Sequence, residues 1–104
     1  MKKVLVVLFF VSFLVTGCSK DTVTDSYTPD CTGAVKSYKT DVAPLIQTYC
    51  AGCHSNYSTY SQLSASKSSV RNSIVNGSMP RGKTMSSAQK DAVICWIDNG
   101  AINN

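Results

Sequence analysis

The chain has 104 residues, is 43% apolar and 15% charged, and carries a formal net charge of +4. That length allows one small domain. With no arginine–lysine cluster and no long charge run, the charge is too weak to argue for nucleic acid or anionic membrane as a partner.

The first element is a leader. Lys2 and Lys3 form a positive start, and Val4 to Val15 is a nearly unbroken apolar run interrupted by Ser12. It is about twelve residues long, where a membrane-spanning helix needs about twenty, so it predicts a signal peptide over residues 1–17. Without that leader, eight basic residues remain against six acidic ones, a net of +2. Val15-Thr16-Gly17-Cys18 resembles the bacterial lipobox, which makes Cys18 the candidate for lipidation and the new N-terminus; an ordinary signal peptide with an incidental Cys18 is the plainer alternative. Several acyl chains on one cysteine suffice for lasting anchorage where a single chain is marginal. Ser19 after that cysteine resembles the outer-membrane sorting signal of Gram-negative lipoproteins. The expected location is therefore the cell envelope, lipid-anchored on the periplasmic side or at the outer membrane. Residues 18–30 are polar with little to bury, and read as the lipidated cysteine and a solvated tether.

The folded unit is expected over residues 31–104. Thr40 or Asp41 can cap a helix, with Pro44 in its first turn. Val42, Leu45, Ile46, Tyr49, Cys50 and Cys53 follow at helical spacing and make one apolar face.

That face ends in Cys50-Ala51-Gly52-Cys53-His54, the C-x-x-C-H pattern of c-type haem attachment. Cys50 and Cys53 can each add across a vinyl group of haem, and His54 then supplies the proximal iron ligand. Competing readings of the pair fare worse. Zinc asks for four ligands, usually from two such pairs, and the chain has one histidine and no second C-x-x-C. A thioredoxin-like pair would need a βαβ context, which is missing. A simple Cys50–Cys53 disulfide stays open.

Residues 55–66, rich in Ser, Thr, Asn and Tyr, read as a loop around one haem edge with a short turn near Tyr60 and Leu63. Tyr57 and Tyr60 are expected there as amphipathic covers for the ring, or as hydrogen-bond donors to a propionate. A short helix is predicted over residues 67–76, with Val70 and Ile74 four apart and Gly77 as its stop.

Gly77-Ser78-Met79-Pro80-Arg81-Gly82 reads as an extended loop, because Pro80 keeps Met79 out of the helical region. Met79 is the candidate distal iron ligand and Met85 its rival. Met/His ligation raises the reduction potential and suits electron transfer. Ser86 and Gln89 form a capping box, and the last helix is predicted over residues 87–99 with Gly100 as its stop. Ala92, Val93, Trp96 and Ile97 should line its buried face, Trp96 as core.

Five cysteines in a short exported chain suggest an oxidising compartment. With Cys18 assigned to lipid and Cys50 and Cys53 to haem, Cys31 and Cys95 remain. A bridge between them would staple the ends of the domain and, in the chain-entropy estimate, be worth about 4 kcal/mol.

Cys50-Ala51-Gly52-Cys53-His54, Gly77-Ser78-Met79-Pro80 and Cys95-Trp96-Ile97-Asp98-Asn99-Gly100-Ala101 together resemble a small class I c-type cytochrome domain. The resemblance runs from about Cys31 to Asn104. It is closest to short lipoprotein forms beginning near Ser37-Tyr38-Lys39-Thr40-Asp41-Val42-Ala43-Pro44. It implies an all-α, cytochrome c-like fold of three to four helices around one covalent haem c, with the first helix crossing the last nearly at right angles and an exposed haem edge. It also implies a mono-haem electron carrier cycling Fe(II)/Fe(III), with redox proteins as donor and acceptor. The short stretch between His54 and Met79 would leave less cover on one haem face. No paired carboxylates and no nucleophile–base constellation point to an enzyme. The rival functions are a haem-based small-ligand sensor with an open sixth site and a haem-free structural lipoprotein stapled by Cys50–Cys53.

Overall fold

A computed structural model describes residues 26–104. The leader over residues 1–17, Cys18 and Ser19 lie outside the described residues. Within them every regular element is helical, in agreement with the all-α expectation. A single π-helical turn, Tyr38–Val42, runs directly into α1, Ala43–Tyr49; α2 spans Tyr60–Ala65, α3 Lys67–Val75 and α4 Ser87–Asp98. No helix among them is long and apolar enough to cross a membrane.

The largest fully buried side chains are Trp96, Leu63, Ile94, Val42 and Val93, drawn from the first helix, α2 and α4. α4 is the central element: it packs against both α3 and the Tyr38–Val42 turn. Six consecutive residues, Ala92 to Ile97, are buried, not only the four of one amphipathic face. The reason is that a third side of α4 is covered too, where Cys95 is disulfide-bonded to Cys31, with Cα atoms 5.4 Å apart. At about 1.5–3 kcal/mol per fully buried large apolar side chain, this helix dominates the core. Trp96 is core, as expected; its indole N–H donates to the Ile102 carbonyl at 2.8 Å, and its ring lies 5.6 Å from that of Tyr38.

The caps of α4 follow the sequence. Ser86 and Gln89 complete the reciprocal capping box. At the other end the Gly100 N–H reaches the Ile97 carbonyl and the Ala101 N–H the Trp96 carbonyl, a Schellman closure that needs the positive φ of Gly100, +106°.

The start of the first helix differs from expectation. Ser37, not Thr40 or Asp41, is the N-cap. The Asp41 carboxylate instead accepts from the Ser37 N–H at 2.8 Å. The Tyr38 N–H is met by the side-chain oxygen of Asn104 at 2.8 Å, and the Ser37 hydroxyl donates to the Asn104 carbonyl at 2.7 Å. A residue distant in sequence thus satisfies the exposed donors of this helix end.

The tether reading also stops short. The Tyr27 hydroxyl donates to Asp91 at 2.6 Å and to the Ser87 carbonyl at 3.0 Å, and its backbone N–H to the Val75 carbonyl at 2.8 Å. Among the described residues, packing therefore begins by Tyr27, four residues before Cys31, because a phenol can reach the first turns of α4 from there.

Candidate functional site

α1 carries the chain into the site. Val42 and Ile46 are buried and fix its inner face. The helix ends at Tyr49, one turn earlier than the apolar spacing through Cys53 suggests. The Ile46 carbonyl accepts the N–H groups of both Cys50 and Ala51 at 2.9 Å, and the Cys50 carbonyl those of Cys53 at 3.2 Å and His54 at 2.8 Å. Cys50 is thus the C-cap, and Cys53 lies on a tight turn rather than on the helix. The turn brings both thiols and His54 to one place without a continuous helix, since residues 50–54 hydrogen-bond around the single Cys50 carbonyl.

Cys50 and Cys53 are both unbonded, the first half-buried and the second exposed. Burial pushes the Cys50 thiol above its ordinary value, opposite to the lowered thiol of a reactive redox pair.

A short 3₁₀ turn, Ser55–Tyr57, follows His54. It lays the Tyr57 ring over the imidazole, centroids 5.0 Å apart and planes 26° from parallel. The rest of the expected loop is more ordered than its composition suggests. Thr59 and Gln62 form a second reciprocal capping box, which starts α2. Tyr60 does not join the site. Its ring packs on Tyr38 and Trp96, and its hydroxyl donates to the Ala101 carbonyl at 2.8 Å.

The opposite wall comes from α3 and the segment after it. α3 ends at Val75, with Asn76 as its C-cap and Gly77 at φ +76°, as the Val70/Ile74 spacing and the glycine predict. The Met79 N–H then donates to the Ser73 carbonyl at 3.2 Å, the Met79–Pro80 bond is cis, and Lys83 reaches across to the Thr48 carbonyl at 2.6 Å. The loop is therefore tied to α3 at one end and to α1 at the other.

Between these walls lies a cavity of about 320 Å³, lined among others by Cys50, Cys53, His54, Tyr57, Met79 and Met85. The structure thus brings together both thiols, the imidazole and both thioethers proposed from the sequence. The two methionines differ in setting. Met85 is 4% exposed and belongs to the hydrophobic core, whereas Met79 is half-buried and outside it. Sequence reasoning missed Arg81, which also lines the cavity. Val70 and Ile74, read only as helix spacing, form part of its apolar wall.

No family model, no curated protein and no solved structure matches this chain. Among the described residues, no three His, Cys, Asp or Glu side chains stand together as an ion-binding group.

The lining fits a flat apolar macrocycle that carries a metal. It offers aromatic and aliphatic walls, two unbonded thiols for covalent attachment, and one nitrogen and two sulfur donors, the chemistry by which axial ligands hold haem iron.

Proposed function

We propose that this chain is a mono-haem c-type cytochrome of cytochrome c-like fold, a membrane-anchored electron carrier held by a lipidated Cys18. The observation that carries the reading is the cavity itself, where Cys50, Cys53, His54 and two methionines line one largely apolar space. Cys50 and Cys53 would hold the haem through thioether bonds, and His54 and Met79 would supply its iron ligands. When bound, the haem supplies one-electron cycling between Fe(II) and Fe(III).

The protein's own residues do the rest. Val70 and Ile74 present hydrocarbon and keep water from one wall. Tyr57 holds the imidazole plane. The hydrogen bonds from Met79 to Ser73 and from Lys83 to Thr48 fix the loop that carries the thioether. Met79 is preferred over Met85 because Met85 already fills the core, and withdrawing its side chain would leave a void costing about 2 kcal/mol or more. The redox partners are proteins of the same envelope compartment.

Absorption spectra of the haem-loaded protein test the ligand set. Met79→Ala should convert the low-spin spectrum of the wild type to a high-spin one and abolish the weak Met–iron band at long wavelength, while Met85→Ala keeps both. Loss of the low-spin state in Met85→Ala alone would reverse the assignment. A wild type already high-spin and shifted by carbon monoxide would make the chain a ligand sensor.

A further inference from the structure

Arg81 is the one arginine or lysine lining a cavity that has no Asp or Glu on its walls. The second arginine, Arg71, is clasped by both oxygens of Asp98 at 2.6 and 3.0 Å. Among the described residues the acidic groups are engaged elsewhere: Asp41 by the Ser37 N–H, Asp30 by Thr32, Asp91 by Tyr27 and by the Asp30 N–H. No hydrogen bond or ion pair within the described residues engages the Arg81 guanidinium.

A purely apolar occupant pressed against this rim would strip water from a cation and return nothing for it. An occupant that brings its own anion removes that penalty, and a carboxylate meets the planar guanidinium fork in a two-pronged, charge-assisted pair. We propose that Arg81 is a positioning residue that pairs with a carboxylate of the group bound in the cavity. Resting on the reading above, that carboxylate is a haem propionate, and the pair fixes which edge of the macrocycle points to the Pro80–Arg81 rim.

The test is the reduction potential of the haem-loaded protein followed from about pH 4 to about pH 9, a range that spans a carboxylate freed from its partner. Arg81→Gln should move the pH at which the potential breaks upward by about one unit, the low end of what a neighbouring opposite charge does to a carboxylate. Arg81→Lys should move it only part of the way. Lys39→Gln, the same charge change at an exposed residue that lines neither wall, should leave it in place. An Arg81→Gln profile that matches wild type overturns the pairing, and so does a Lys39→Gln profile that moves equally. Because Arg81 is exposed and holds no protein group, its loss does not put folding at stake. If the wild type carries no covalent haem, the functional reading itself fails; if haem is present and the profile does not move, only the pairing does.

Discussion

The imidazole of His54 lies against the ring of Tyr57, 5.0 Å between centroids and nearly parallel. Tyr57 follows His54 by three positions, and the Ser55–Tyr57 3₁₀ turn sets the stack, because the Tyr57 N–H returns to the His54 carbonyl at 3.0 Å. Aromatic pairs of this kind contribute about 1 kcal/mol beyond their buried area. Tyr57→Ala, which also gives up the buried area of the ring, should therefore lower stability by at least about 1 kcal/mol in a urea titration, and Tyr57→Phe should not. Equal losses in both would place the effect in the hydroxyl rather than the ring.

The two thiols of the site should differ in reactivity before haem is attached. Cys53 is exposed, whereas Cys50 is half-buried and its thiol is pushed up by burial. Since the thiolate is the nucleophile, alkylation of haem-free protein near neutral pH should label Cys53 several-fold faster than Cys50. Peptide mapping after short exposure to iodoacetamide reads the ratio. A ratio near one, or a faster Cys50, would contradict the burial of that thiol.

Much of this arrangement is legible in the chain, and the misses have physical causes. Ser86 with Gln89, Gly100 and Trp96 announce α4 through local chemistry, so its ends fall within a residue of expectation. Thr59 with Gln62 is the same capping signal, obscured by a run of polar residues that looks like a loop. The apolar period through Cys53 hides the end of α1, because a turn wound around one carbonyl can place Cys50, Cys53 and His54 together as well as a helix can. Tyr27 and Asn104 depend on partners 64 and 67 residues away, and Arg81 belongs to a cavity formed only by folding. No local pattern encodes such relations.

The Cys31–Cys95 bridge closes a separation of 64 residues. In the chain-entropy estimate it stabilises by about 4 kcal/mol, a large share of what so small a domain retains. The double substitution Cys31→Ser with Cys95→Ser should lower the urea midpoint accordingly, and reducing the wild-type bridge should have a similar effect. An unchanged midpoint would mean that the Tyr27 contacts hold the segment without it.

The pair of Arg71 on α3 and Asp98 at the end of α4 gives stability a pH dependence of known sign. The hydrogen bonds from Arg71 hold the Asp98 carboxyl below its ordinary value. Its folded-state value is thus depressed, so the contribution is present above the unfolded value of about 4 and is lost as pH falls through the folded one. Both side chains are about one-third exposed, which limits the pair to about 0.5 kcal/mol. Asp98→Asn should be less stable than wild type by that amount at neutral pH, and the gap should close below about pH 4. A gap that persists unchanged at pH 3 would assign the loss to something other than the ion pair.

Intact mass of the protein after denaturation, made in a host able to attach haem to cysteines, tests the reading most directly. The account predicts wild-type protein heavier by one haem, with Cys50 and Cys53 both blocked to alkylation, and that mass absent from Cys50→Ala with Cys53→Ala. Wild-type protein at the mass of the polypeptide alone, with both thiols free to react, would contradict it.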